Sequence, residues 1–164
     1  MKRGIVWFRN DLRVTDNEAL FRASQECDEV LPVYVFDKDY LHLEKYGSKK
    51  FGARRVKFLL ESLTDLKESL KALGADLLVE TGKADEVLSR ITEEYGTKLI
   101  YGQKEVTQEE LNVEEDVKER LTGNVEVKLY HGHSLYHPED IPFQIDKVPD
   151  VFSDFRKRCE KQAK

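Results

Sequence analysis

A regular alternation of short apolar runs with helical patterns constrains the fold of this chain more than any other feature. Five runs rich in β-branched and aromatic residues predict strands at 4–8, 30–36, 76–79, 98–101 and 125–129. Between them, apolar residues at steps of three and four predict helices at 17–26, 52–73, 83–95 and 108–121. Because right-handed crossovers place helices over a parallel sheet, we predict an α/β fold: a Rossmann-like five-stranded parallel sheet with helices on both faces.

The predicted helices carry their own start and stop signals. Thr15 or Asp16 is placed to cap the first helix. Thr107 and Glu110 have the spacing of a capping box at the start of the fourth. A glycine, which readily adopts the left-handed conformation that ends helices, follows the second, third and fourth helices: Gly74, Gly96 and Gly123. These signals support the predicted helix boundaries.

Ligands of open parallel sheets bind beyond the carboxyl ends of the strands. Five segments should lie there, namely 9–16, 37–50, 80–83, 102–107 and 130–137. The first carries Arg9, Asn10, Asp11 and Arg13 where the usual nucleotide-binding loop has glycines that let the backbone approach a pyrophosphate. The sequence therefore excludes a pyrophosphate cradle at this loop and predicts contacts made by polar side chains.

Composition limits the partners of the chain. Its 164 residues fit one domain with a sizeable core. The 27 Lys and Arg against 32 Asp and Glu give a net charge of −5, which is unsuited to gripping a nucleic-acid backbone unaided. The sequence has no long apolar run and no signal-peptide pattern, so no membrane partner is expected. Cys27 and Cys159 are too few for a disulfide framework, and a cytoplasmic protein is predicted.

Three residues near strand ends are candidates for ligand contact. Glu105 follows the fourth strand, where its carboxylate could accept paired hydrogen bonds from the amidine-like edge of adenine, guanine or a pterin. The alternative interpretation is that Glu105 is a solvated residue that precedes the capping box. Phe36 and Asp37 end the second strand, and Phe36 either stacks on a planar ligand or belongs to the core or its rim.

Two further clusters of residues, one basic and one of histidines, can be explained without a ligand. Lys49, Lys50, Arg54 and Arg55 form either a solvated face or a contact for an anionic partner. Ser134 lacks a nucleophile motif and an orienting acid, so no catalytic residue is predicted. Three histidines without a nearby carboxylate or cysteine cluster are interpreted as a polar loop, and no metal site is predicted: His131, His133 and His137.

Residues 7–20, WFRNDLRVTDNEAL, open a pattern that continues in order through 51–63, 105–110, 135–143 and 148–157. This pattern resembles the photolyase/cryptochrome family over the whole chain. Asn10 and the segment 51–63 are most similar to the DASH-type cryptochromes. The resemblance implies an N-terminal α/β antenna domain over residues 1–137, and the start of a linker towards a missing FAD-binding helical domain over 138–164.

The resemblance also implies a function. The chain would be the light-harvesting domain of a DASH-like cryptochrome or DNA photolyase, whose parent protein performs blue-light-driven, FAD-dependent repair of pyrimidine dimers or light signalling. FAD and damaged DNA would be bound through the helical domain alone, so the chain by itself should not be catalytic. From the residues alone, two other classes stay open: a stand-alone adenine-nucleotide-binding module, and a protein-interaction module that docks on a separate helical partner.

The antenna pigment implied by the resemblance is methenyltetrahydrofolate or a deazaflavin. Glu105 matches the family glutamate that hydrogen-bonds a pterin ring. Lys50 falls near a polar or basic contact to the folate, and Phe36 and Asp37 match the strand end that lines the pigment cleft. Arg9, Asp11 and Arg13 are interpreted as structural residues that pin the loop after the first strand and its contact with the missing helical domain.

Overall fold

The computed structural model describes residues 1–37, 51–134 and 136–162. The chain forms two compact units, Met1–Tyr130 and His131–Lys164. Lys50 lies outside the described residues, so its predicted contact stays a prediction. The boundary predicted after residue 137 between domain and linker also stays a prediction.

The first unit is built on a five-stranded sheet in which every pairing is parallel. The strands are β1 (Arg3–Phe8), β2 (Glu29–Phe36), β3 (Leu78–Thr81), β4 (Leu99–Gln103) and β5 (Glu126–Tyr130), in the order β3-β2-β1-β4-β5. The helices are α1 (Glu18–Glu26), α2 (Ala53–Ala72), α3 (Ala84–Tyr95) and α4 (Gln108–Arg120). The predicted α/β fold is confirmed.

Alternation along β1 divides the core between the two faces of the sheet. Val6 and Phe8 pack with α1 and α2, in a cluster that includes Leu66. Ile5 and Trp7 belong to the opposite cluster, which takes in residues of α3 and α4. Because both faces are covered, the strands are apolar on both sides, as parallel strands usually are. Helices on both faces are therefore confirmed.

Three local predictions differ from the structure. Asn17 caps α1, since its Oδ1 accepts the N–H of Leu20 at 3.0 Å, whereas Asp16 adopts a left-handed φ of 51° outside the helix. Thr107 is the N-cap residue of α4, but its side chain makes no capping hydrogen bond. The third strand was expected at 76–79 and is found two residues later, because pairing with the end of β2 begins at Leu78.

The second unit contains a short 3-10 helix, Ile145–Lys147, and α5 (Phe152–Gln162). Phe155 packs against Phe143 and Phe152, with ring centroids 5.5 and 6.3 Å away. Within the described ranges, no helix is long and apolar enough to cross a membrane.

Candidate functional site

A cavity of about 190 Å³ lies at the carboxyl ends of β1 and β2. The chain adds β2 and β3 on one side of β1 and then β4 and β5 on the other side, so the strand order reverses at β1. The cavity therefore lies at the switch point where open α/β sheets bind ligands. Pockets for drug-sized ligands usually measure about 300–1,000 Å³. A cavity of this size therefore suits one fused ring system better than a complete dinucleotide.

Aromatic side chains form much of the cavity wall. Trp7 of β1, Tyr34 of β2 and Phe51 all line it. The guanidinium of Arg55 lies 4.1 Å from the centroid of the Phe51 ring, and that of Arg9 lies 4.5 Å from the Trp7 ring. Aromatic faces and guanidinium planes both stack well on flat rings. The wall is therefore suited to a planar ligand.

Tyr34 contributes a phenol hydroxyl to this wall. The residue is only 6% exposed, and its hydroxyl has no hydrogen-bond partner in the described part of the chain. Burial raises the pKa of Tyr34 to about 12, with a contribution from the Glu110 carboxylate, while Arg55 opposes the rise. The phenol is therefore neutral at physiological pH and keeps a proton to donate.

Arg9 braces the loop after β1 from inside the protein. Its guanidinium donates to Glu114 Oε1 at 2.6 Å and to Glu110 Oε2 at 2.9 Å, and Arg9 and Glu114 are both buried. The same oxygen of Glu114 accepts the backbone N–H of Glu105 at 2.9 Å. The buried Asp11 accepts the N–H of Arg9, also at 2.9 Å. One ionic network thus joins this loop, α4 and the loop after β4.

Glu105 lies behind the cavity and does not line it. It is 4% exposed, and its Oε1 accepts a hydrogen bond from Asn10 Nδ2 at 3.0 Å. Asn10 does line the cavity. Asn10 therefore connects the predicted pterin contact to the cavity, a link across 95 positions that local patterns do not reveal.

The other predicted residues divide between the cavity and the core. Asp37 lines the cavity, as does Arg55 of the basic cluster. Phe36 is partly buried and packs against the core cluster on the α1 and α2 side. The sequence pattern did not identify Tyr34 and Trp7 as cavity residues, because both occupy positions typical of the core in apolar strands. The signal available for Tyr34 was a phenol placed two residues before the end of a buried strand.

The histidine segment belongs to the second unit. The rings of His131 and His137 meet edge to face with centroids 5.1 Å apart. Among the residues that the structure describes, no group of three or more His, Cys, Asp or Glu side chains could hold a metal ion.

The raised pKa of Tyr34 predicts a specific loss of stability in alkali. The unfolded chain releases this proton near pH 10 and the folded chain near pH 12, so stability is complete below pH 10 and falls as the pH rises towards 12. Between pH 9 and 11.5 the wild type should lose about 2 kcal/mol more unfolding free energy than Tyr34→Phe. Urea titrations at both pH values measure this difference, and parallel losses in the two proteins would contradict the assignment.

The fold and the cavity define an α/β domain of the class whose ligands bind beyond the carboxyl ends of parallel strands. A family model described as DNA photolyase matches residues 4–164. The chain therefore belongs to the DNA photolyase family, and it corresponds to the N-terminal α/β domain of photolyases and cryptochromes.

Individual relatives agree with this assignment. The chain is 42% identical to "Cryptochrome DASH" of Gloeobacter violaceus, over 99% of this chain and 33% of that protein. A crystal structure of a Synechocystis cryptochrome superposes with a TM-score of 0.93 at 42% identity, over 99% of this chain and 34% of that one. The resemblance to DASH-type cryptochromes is confirmed. The chain spans about a third of the length of these relatives.

A third comparison is with a more distant structure. The photolyase of the archaeon Sulfolobus tokodaii superposes with a TM-score of 0.82 at 27% identity, over 99% of this chain and 36% of that one. That protein is described with two FAD molecules and with the implication of a novel light-harvesting cofactor.

Proposed function

We propose that this domain binds a light-harvesting pigment and passes its excitation energy to FAD held by a helical domain. The observation that carries the proposal is the aromatic cavity at the switch point of the sheet, with the unpaired hydroxyl of Tyr34 in its wall. Such a cavity offers stacking faces together with several polar and charged side chains, and a planar heteroaromatic ring can use both. Methenyltetrahydrofolate or a deazaflavin is the proposed pigment.

Glu105 is proposed to hold the pigment's polar edge through Asn10, since its own carboxylate does not line the cavity. That carboxylate is buried and accepts a hydrogen bond from Asn10 Nδ2 at 3.0 Å, and Asn10 lines the cavity. A hydrogen bond to a buried carboxylate is strong because the acceptor is charged. Asp37 at the cavity wall and Lys50 are the further proposed contacts.

The parent activity follows from family membership and is proposed on that ground. FAD-dependent, blue-light-driven repair of pyrimidine dimers, or light signalling, would reside in the helical domain. The damaged DNA would bind there too, since the net charge of −5 makes this chain a weak partner for a phosphate backbone.

Titration with methenyltetrahydrofolate tests pigment binding. Trp7 is the sole tryptophan of the chain and lines the cavity, so a bound pigment should quench its fluorescence saturably. Glu105→Gln should weaken this binding about tenfold, because it removes a charge-assisted hydrogen bond.

Glu115→Gln, an exposed change on α4, is the matched control and should leave the affinity unchanged. AMP in place of the pigment tests the adenine-nucleotide alternative. Saturable binding of AMP without binding of pigment would favour that alternative and reject the antenna function.

A further inference from the structure

The hydroxyl of Tyr34 is an accessible polar group on a residue that is itself buried. In the described part of the chain, no fully buried side-chain nitrogen or oxygen lacks a hydrogen-bond partner. Tyr34 is buried as a residue, yet its hydroxyl has no partner there. The hydroxyl must therefore remain accessible, and the cavity that Tyr34 lines is where it is accessible.

Two charged residues that line the same cavity, Glu110 of α4 and Arg55 of α2, act on the ionisation of Tyr34 in opposite directions. Each already has a partner of its own. Glu110 accepts a hydrogen bond from Arg9 at 2.9 Å, and Arg55 lies over the Phe51 ring. A neutral phenol in this position can donate a hydrogen bond into the cavity.

We propose that Tyr34 is a specificity-determining residue, whose hydroxyl donates a hydrogen bond to a carbonyl oxygen on the edge of a planar fused-pyrimidine ligand. Pterins and flavins share this edge. The inference rests on the proposed function, and it names the residue that determines which ring system binds. A ring without an acceptor at that edge would cover the hydroxyl without pairing it, and covering an unpaired polar group opposes binding.

Tyr34→Phe tests the inference because it removes one oxygen atom and keeps the aromatic ring in its apolar cluster. Methenyltetrahydrofolate and riboflavin, titrated separately, distinguish the pterin from the flavin as the source of the carbonyl edge. Phenazine is the matched probe, a flat ring system without a carbonyl group. For the ring that binds, Tyr34→Phe should weaken affinity about tenfold and abolish the shift in ring absorption on binding. Tyr34→Phe should strengthen the binding of phenazine, because the variant no longer covers an unpaired hydroxyl.

Tyr95→Phe is the matched control variant, since it deletes a hydroxyl at the end of α3 that does not line the cavity. The infrared carbonyl stretch of the bound ring gives a readout on the wild type alone, and it should fall to lower frequency on binding. Unchanged affinity and absorption in Tyr34→Phe, or an unshifted carbonyl stretch, would overturn the role of Tyr34 and leave the antenna function standing. If none of the rings binds the wild type, both the antenna function and the inference fail.

Discussion

Arg9→Met is expected to lower the free energy of unfolding by about 3–5 kcal/mol, because it leaves a buried carboxylate without its partner. Arg9 is held at 2.6 Å by Glu114 and at 2.9 Å by Glu110, and Glu114 is itself buried. Methionine replaces the aliphatic part of the arginine side chain but carries no charge. Urea denaturation at neutral pH measures the loss.

Arg13→Met is the control for this prediction, because it makes the same change in the same loop. The Arg13 side chain is 41% exposed, and among the described residues it bonds to the nearby Asp16 alone. Exposed pairs of this kind contribute about 0–1 kcal/mol. Equal losses from both substitutions would show that the buried network does not brace the loop.

Leu66→Ala is expected to destabilise the domain by about 2–5 kcal/mol, since it opens a cavity in the core between α2 and the sheet. Leu66 is almost fully buried there with Leu63 and Leu70, one helical turn to either side. Thermal or urea unfolding measures the change.

Leu60→Ala on the same helix supplies the comparison, because Leu60 is exposed. Its effect should stay within about 0.5 kcal/mol, as is usual for surface positions. A large loss at Leu60 together with a small loss at Leu66 would mean that α2 buries a different face.

The sheet could be predicted from the sequence because its signal is local and repeated. Each apolar run and each helical stripe lies within a few consecutive residues, so strand number, direction and helix placement follow from periodicity. The prediction of the α1 cap was wrong because neighbouring residues could each have capped the helix. Asn17 caps α1 in place of Asp16, because the left-handed backbone of Asp16 places Asn17 at the helix entry.

The candidate site was harder to predict because its contacts are distant in sequence. Glu105 and Asn10 were both noticed, but their hydrogen bond joins loops 95 residues apart, and nothing local indicates it. Arg9 and Glu114 are separated by 105 positions. A partial signal existed in α4, where Glu110 and Glu114 share one helix face at a spacing of four. That spacing places two carboxylates on one helix face but does not show which basic side chain they bind.

The position of β1 at the centre of the sheet has a consequence for folding. Its partners are β2, which follows within about thirty residues, and β4, whose Ile100 lies opposite Ile5. Non-local pairings of this kind form slowly, because a long loop must close before the contacts stabilise it. During synthesis β1 leaves the ribosome before the other four strands of this sheet, and it pairs fully only after β4 and the α4 glutamates that hold Arg9 have been made. The cavity is therefore a late product of folding, completed only after most of the first unit has been made.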